Sequence, residues 1–530
     1  MKRDLASLQT RHFDLLICGG GVYGAWAAYD AALRGLKVAI IEQGDWATAT
    51  SSASSKLIHG GLRYLETFDF KLVSKSLKER KMLLHTAPHR VWPLRFGIPV
   101  YTHQRMNRLQ LKLGLSLYDH LAADNDPDMH HHYLNQQQFI AHFPCLKEHG
   151  LKAGFTYADA QTDDARLVLE LIAGALQAGA SCFNYCKLIQ VSETNEKADG
   201  AIVRDQLTLT ELKISARQIV FTTGQWLVKE MQSREWCRLS KGIHLIMPAA
   251  LKNEALLLTA QSDGRVFFMI PWYGLTLLGT TDSDFESNNV DHVTIDDTDI
   301  TYLLAAANDY LRIPWTKSDI IGSFAGVRVL KQANPQATSN SPSSVSRDWE
   351  LKSAANGVHY AIGGKITSSR QDAAHIVDTV CKQLGHHQTC ATEGRLFPWA
   401  PRDNFADWSA VMQKRAAQLG IDAESTRWLL HRHGIRVEAI FRRIELDTTL
   451  AQRILPGLPF IDADLLHCAH DEMVVHLDDL LRRRLPLLIL AKLTESDLMR
   501  IASRAASAMH WSDTRLRQEI EHCRQQWITH

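Results

Sequence analysis

A strand, a glycine turn and a helix follow one another without interruption near the start of this 530-residue chain, and that succession constrains its fold more than any other feature. Residues 13–18 (FDLLIC) form a short apolar run suited to a buried parallel strand. The run enters Gly19-Gly20-Gly21-Val22-Tyr23-Gly24, which satisfies G-x-G-x-x-G. Residues 25–34 then read as an alanine-rich helix ended by Gly35, and residues 37–41 as a second strand with Glu42 at its end. Each part has a task in holding a dinucleotide. Gly19 permits the tight turn, Gly21 lets a pyrophosphate approach the backbone, and Gly24 lets helix and strand pack closely. The helix start offers N–H donors and partial positive charge, while Glu42, 18 residues beyond Gly24, accepts hydrogen bonds from a ribose diol.

The next segments select the flavin dinucleotide. Asp163-Asp164 caps a predicted helix over residues 165–178 that stops at Gly179, and residues 181–185 read as a strand with Cys182 and Cys186 on one face. Residues 187–214 read as three short antiparallel strands, and residues 218–224 as a further strand ending in Thr223-Gly224. This is the order of two-dinucleotide-fold flavoproteins. Only one phosphate-binding glycine loop is found, so the expected cofactor is FAD without a nicotinamide nucleotide. Strands at residues 243–247, 255–259, 266–270 and 275–279 have hairpin spacing, followed by a helix over 298–311 and strands at 320–330 and 358–362. From about residue 395 the pattern becomes helical, with segments at 428–433, 478–490 and 496–508. The expected class is α/β: an FAD-binding two-dinucleotide, Rossmann-like fold with an antiparallel-sheet substrate domain and a C-terminal helical domain. Residues 1–395 form the oxidoreductase region in this reading, with FAD-binding parts at about 10–95, 150–240 and 355–390 and a substrate part at about 241–354. Residues 396–530 form the helical domain.

Composition excludes several classes. Lys and Arg total 59 against 58 Asp and Glu, a balance that speaks against nucleic acid as partner. Nine scattered cysteines without CxxC argue against a disulfide scaffold or structural zinc. His130-His131-His132 sits in a polar stretch and His386-His387 follows Gly385; neither suggests a metal, and none is expected. The first residues lack the apolar core of a signal peptide, and no apolar run is long enough to span a bilayer. Residues 71–112 hold ten Lys/Arg and one acid, Glu79, and lead into the apolar stretch 109–118. That combination suits an anionic membrane surface, each cation there contributing about 1 kcal/mol. The alternative is that the leucines pack inside while the charges are solvated.

Residues 49–66, ATSSASSKLIHGGLRYLE, place small hydroxyl residues and a His-Gly-Gly after the ribose-binding acid. The segment resembles the flavin-adjacent loop of FAD-dependent sn-glycerol-3-phosphate dehydrogenases of the aerobic, respiratory type. Further matches follow in order: Asp163-Asp164-Ala165-Arg166, Lys241-Gly242-Ile243-His244, Ile270-Pro271-Trp272, Gly279-Thr280-Thr281-Asp282 and Gly326-Val327-Arg328. Then come Ser346-Arg347-Asp348, Gly363-Gly364-Lys365-Ile366-Thr367 and, in the tail, Asp478-Asp479-Leu480-Leu481-Arg482-Arg483-Arg484. Nearly the whole chain is covered. The resemblance implies oxidation of sn-glycerol 3-phosphate to dihydroxyacetone phosphate, electrons passed to a quinone, and a peripheral enzyme on the cytoplasmic side of the cell membrane. It leaves a homodimer open.

The resemblance also assigns residues. Gly19, Gly21, Gly24, Glu42, Thr50, Ser51, Ser52, Gly224, Gly363, Gly364, Lys365, Ile366 and Thr367 are the cofactor positions. His59 is the base, and Arg328 both binds phosphate and stabilises an alkoxide. Arg63, Tyr64, Thr281, Arg328, Arg347 and Lys365 face the substrate, because a phosphomonoester of nearly two negative charges calls for several cations. The chain departs from the family at Thr222-Thr223-Gly224-Gln225-Trp226, at Thr367-Ser368-Ser369-Arg370 and at Val327-Arg328-Val329-Leu330, which leaves room for another polyol phosphate. An amine or amino-acid oxidase on a similar fold is the more distant rival, since a carboxylate needs fewer cations.

Overall fold

The computed structural model describes residues 1–66, 68–102, 107–229, 236–286, 289–331 and 349–525. Among these, two sheets and a helical region share the space. The first sheet has His12–Cys18 at its heart, parallel to Val38–Ile41 on one side and to Glu211–Phe221 on the other. Ser181–Phe183 and Val358–Gly363 extend it in the same sense. Alternate residues of these strands enter different cores. Leu15, Ile17, Val38, Ile40 and Val220 pack against the helices Val22–Leu33, Asp164–Gln177 and Ser369–Leu384. Phe13, Leu16, Cys18, Ala39 and Ile41 meet the antiparallel strands Cys186–Thr194 and Lys197–Asp205 on the other face. Both faces are covered, which is why these strands read as continuous apolar runs.

Two expectations change here. The third strand of the meander and the strand ending at Thr223-Gly224 are one element, Glu211–Phe221, pairing antiparallel with Lys197–Asp205 early and parallel with His12–Cys18 later. A strand can turn each edge to a different partner, and no local pattern marks the change. Cys182 and Cys186 do not share a face: the chain turns at Tyr185, with φ of 52°, so Cys182 joins the helix-side core and Cys186 the opposite one.

The second sheet is larger. Its order runs Ser283–Asp284, Cys237–Met247, Leu275–Gly279, Val266–Trp272, Ala255–Thr259, Val91–Tyr101, Leu151–Thr162 and Leu57–Ile58, with Gly322–Lys331 also on Cys237–Met247. All pairs are antiparallel except Ala255–Thr259 with Val91–Tyr101. Residues 151–162, within a part read from the sequence as FAD-binding, form the strand Leu151–Thr162 of this second sheet.

The C-terminal helices dock on this body through apolar and ionic contacts. Trp272, Tyr273 and Phe324 share a core with Trp428, Phe460 and Leu480. The predicted helix over 478–490 is broken: Leu485 N–H donates to Leu480 O at 2.8 Å, closing a wide turn, and Pro486 ends it. Buried charges cross the junction. Arg166 pairs with Glu472 across it, while Arg432 and His433 pair with Asp464 inside the helical region. Glu170 accepts from Arg90 Nε (3.0 Å), Arg90 NH2 (2.9 Å) and Trp399 N–H (2.8 Å), with His89 Nε2 at 2.9 Å.

Burial alone would push Glu170 up, but His89 and Arg90 outweigh it and hold its carboxyl at about 2. A group held below its unfolded value, about 4.3 for Glu, stabilises the fold above that pH and loses its contribution as pH falls through the native value. The thermal midpoint should therefore fall between about pH 4 and pH 2. Glu170→Gln, which leaves Arg90 uncompensated, should cost about 3–5 kcal/mol at pH 7 in chemical denaturation and flatten that acid limb. An unchanged acid limb in the variant would remove Glu170 as its source.

Candidate functional site

The site is built around the glycine turn. Gly19 has a φ of +116°, and a Cβ there would lie 2.7 Å from the carbonyl carbon of Thr222, so strand and turn approach too closely for any side chain. Gly24 packs in the same way: its Cβ would stand 2.7 Å from Thr222 Oγ1. Gly24 does not line the cavity; its part is the close packing that lets the helix start where it does. The Val22–Leu33 helix begins with Gly21 as N-cap, which has no side chain to cap it and keeps the helix start open to the cavity. Val22 N–H donates to Ser51 Oγ at 3.0 Å, tying the serine-rich loop to the helix start.

A cavity of about 1560 Å³ opens from this turn. That exceeds the about 300–1,000 Å³ of an ordinary small-molecule pocket and leaves room for a dinucleotide with a substrate beside it. Gly19, Gly21, Glu42, Thr50, Ser51 and Gly224 line it, and Gly363, Gly364, Lys365, Ile366 and Thr367 enter from a segment more than 300 residues beyond the glycine turn. Tyr23 brings the two glycine segments together. Its hydroxyl accepts from Lys365 N–H at 3.1 Å and donates to Asp372 at 2.7 Å. Glu42 accepts from Gly20 N–H (2.7 Å) and Gly44 N–H (2.9 Å), and burial pushes its carboxyl up. The glycine cradle, the helix start without a side-chain cap and the acid at the second strand fit FAD: Gly19, Gly21 and Ser51 would face the pyrophosphate and Glu42 the ribose.

Four of the residues predicted at the substrate gather in the same cavity with Lys365. His59, Arg63, Tyr64 and Arg328 all line it. The His59 loop is pinned from behind, as Gly60 N–H donates to Asp159, which also takes Tyr118 OH (2.8 Å) and Arg80 (2.8 Å). His59 N–H itself donates to Thr367 Oγ1 at 3.2 Å. Two cations meet the Tyr64 ring: Lys365 Nζ is 3.9 Å and the Arg63 guanidinium 4.9 Å from its centroid. Arg328 donates to Thr280 Oγ1 (2.8 Å), Thr281 O (3.2 Å) and Asp282 (3.3 Å).

Some predictions are not met. Thr281 is buried outside the cavity, its hydroxyl accepting from Ile243 N–H; its neighbour Thr280 takes the cavity position and the Arg328 contact. Ser52 is buried away from the large cavity, next to Lys56 and Arg482. Arg347 lies outside the described residues. Lys241, part of a matched motif, is engaged by Asp296 and Asp299 and does not reach the cavity.

The structure adds His244, which sequence reasoning quoted within its motif and passed over. Its Nε2 lies 2.9 Å from Ser55 Oγ, its ring stacks on Phe324 at 4.9 Å, and burial, then Arg328 and Lys56, hold it well below the usual histidine range. It is a neutral imidazole at pH 7. Lys56 was also missed; it pairs with Asp164 at 2.6 Å, and Asp164 takes the Ser54 N–H and hydroxyl, so the helix-capping pair also fixes the serine loop.

Comparison with known proteins follows the same outline. Residues 14–370 match the family described as FAD dependent oxidoreductase, and residues 402–516 the C-terminal domain of alpha-glycerophosphate oxidase. A glycerol-3-phosphate dehydrogenase of Synechocystis sp. is 35% identical, covering 91% of this chain and 90% of that protein. An aerobic glycerol-3-phosphate dehydrogenase of Staphylococcus saprophyticus is 31% identical, covering 91% and 88%. The crystal structure of the glycerol-3-phosphate dehydrogenase from Bacillus halodurans complexed with FAD superposes with a TM-score of 0.79 at 26% identity, over 98% of this chain and 96% of that one. The FAD-bound L-alpha-glycerophosphate oxidase of Mycoplasma pneumoniae, 19% identical with a TM-score of 0.56 over 74% of this chain and 100% of that one, shares the fold.

Gly242 gives the sharpest local test. A Cβ there would stand 2.6 Å from the Arg328 guanidinium carbon, at the movable end of a long side chain. Gly242→Ala should therefore fold and hold flavin. Inorganic phosphate binding, read from the absorption of the bound flavin, should weaken about tenfold, the worth of one charge-assisted hydrogen bond. Undiminished phosphate binding would detach Arg328 from anion recognition.

Proposed function

The chain belongs to the family of FAD-dependent glycerol-3-phosphate dehydrogenases, and from that premise we propose that it oxidises sn-glycerol 3-phosphate to dihydroxyacetone phosphate and passes the electrons to a quinone at a membrane surface. One observation carries the reading: three cations from distant segments, Arg63, Arg328 and Lys365, line one cavity with His59 and with the glycine turn that suits the cofactor. Bound FAD supplies a two-electron acceptor able to take hydride from an alcohol carbon.

The residues of the chain do the rest. Arg63 and Lys365, both against the Tyr64 ring, present positive charge to a phosphate dianion, and a guanidinium offers it a paired fork. Arg328, fixed by Thr280 and Asp282, stabilises negative charge on the carbinol oxygen as its proton leaves. His59, on a loop pinned by Asp159, takes that proton. His244, stacked on Phe324 and held neutral by burial and by nearby Arg328 and Lys56, adds no charge to this wall of the cavity. A carboxylate substrate would leave part of this positive charge unmatched, which supports a phosphate over an amino acid.

The acceptor reading draws on the Arg108–Ala122 helix. Leu109, Leu113 and Leu117, at 66%, 63% and 37% exposure, form a stripe on its outer face, and Phe68 is 75% exposed. Leu111 and Leu115 of the same helix line the cavity. Each alternative read from the sequence thus draws support from a different face of one helix. The basic stretch contributes less than its count suggested. Arg80, Arg90 and Lys75 are consumed by Asp159, Glu170 and Asp372, while Lys71, Arg108 and Lys112 are exposed around the stripe. Among the described residues no helix is long and apolar enough to cross a membrane, so such contact would be peripheral.

Anaerobic addition of sn-glycerol 3-phosphate should bleach the flavin absorption, with recovery on adding a quinone analogue and only slow recovery in air. Bound flavin that stays oxidised with this substrate and reduces with another polyol phosphate would move the substrate assignment. His59→Ala should keep flavin and slow its reduction about 10²–10⁴-fold; unchanged reduction would remove His59 as base. Leu113→Asp should lower binding to anionic phospholipid vesicles about tenfold or more in sedimentation, while flavin reduction stays intact, because a charge replaces a buried anchor. Equal vesicle binding would sink the proposed membrane face.

A further inference from the structure

We propose that Arg483 and Arg484 of the C-terminal helical region are positioning residues of the FAD site, setting the phosphate-binding glycine turn in place by clamping Asp45. The inference rests on FAD binding and not on the choice of substrate or acceptor.

A glycine turn carries no side chains of its own, so its position is fixed by whatever holds its backbone. For Gly20 that is the loop after the strand Val38–Ile41. Its N–H donates to Glu42 Oε2 at 2.7 Å, and its carbonyl accepts from Ala47 N–H at 3.1 Å. Both backbone polar groups of Gly20 thus end on one loop. The Trp46 ring lies directly beneath: a Cβ on Gly20 would come within 2.8 Å of it.

The same loop is tied on its far side to the C-terminal region. Asp45, fully buried, accepts from Arg483 Nε (2.6 Å), from Arg484 NH2 (2.9 Å) and NH1, and from Asn184 Nδ2 (3.2 Å). Trp46 Nε1 donates to Met473 Sδ at 3.3 Å. The two arginines are anchored in turn: Arg483 NH2 donates to Asp479 (2.6 Å), which also takes the Tyr185 hydroxyl (2.6 Å), and Arg484 NH2 donates to Glu472 O (2.8 Å). Burial opposes ionisation of Asp45, yet the two guanidiniums outweigh it and hold the carboxyl at about 2, so the clamp is ionic at neutral pH. The wide turn closed by Leu485 N–H and ended by Pro486 brings consecutive arginines to one carboxylate. Neither arginine lines the large cavity; their effect passes through Asp45, the loop and Gly20.

The test is FAD titration of deflavinated protein, followed by flavin fluorescence. Arg484→Lys keeps the charge and loses the fork, and should raise the dissociation constant for FAD about tenfold. Turnover of the flavin-saturated variant and its KM for sn-glycerol 3-phosphate should stay at the wild-type values. Trp46→Phe stays aromatic but removes both the bond to Met473 and the indole surface under Gly20; it should raise the constant about threefold or more and answers the question should Arg484→Lys not fold. FAD affinity equal to wild type in the folded variants, with only the melting temperature lowered, would overturn the proposal and leave the arginines a purely structural role.

Discussion

The contact between Gly19 and the end of the strand Glu211–Phe221 is the constraint on which the rest of this structure depends. Thr222 follows that strand, and its hydroxyl meets the Gly19 carbonyl at 2.9 Å while its backbone occupies the space of a Gly19 side chain. This approach requires three parallel strands in fixed register, with His12–Cys18 between its neighbours. The register places the start of the Val22–Leu33 helix at the mouth of the cavity, where its N–H groups and partial positive charge can receive an anion. Everything that binds or reacts is placed relative to that point.

Charge is distributed unequally around it. Behind the cofactor loops lie buried ion pairs: Lys56 with Asp164, Arg483 and Arg484 with Asp45, Arg166 with Glu472. These pairs hold loops that have little apolar surface of their own. Breaking one would leave a buried charge unmatched, so each pins its loop more firmly than its net contribution to stability implies. In the cavity the partners differ. Among the described residues, Arg63 and Lys365 meet the Tyr64 ring and Arg328 meets the Thr280 hydroxyl and Asp282, all at the wall of the cavity. The same residue types therefore serve as mortar or as binding groups according to what faces them.

The C-terminal region belongs to the cofactor site through this network. Its helices share a core with Trp272 and Tyr273 of the substrate sheet, and its arginine turn reaches the loop that carries Glu42. Among the described residues its side chains line no part of the cavity and instead meet the loops behind it.

The sequence by itself determined the parts whose signal is local. The run 13–18, the turn from Gly19 to Gly24 and the acid Glu42 sit within 30 residues, and their spacing dictates strand, turn and helix by steric rules alone. The family motifs named His59, Arg63, Arg328 and Lys365, all of which line one cavity. Tertiary structure alone decided what depends on partners far along the chain. It gave Thr280 rather than Thr281 the cavity position, because the pairing of Leu275–Gly279 with Cys237–Met247 turns the Thr281 hydroxyl to Ile243. It spent much of the basic stretch on internal carboxylates, and left a leucine stripe facing out from a helix whose other face lines the cavity. It also put Arg483 and Arg484 on Asp45, 438 and 439 residues away. A sequence window shows which side chains carry charge; which charges meet is fixed only when strands and helices pack, since pairing energy depends on distance and burial and not on separation along the chain.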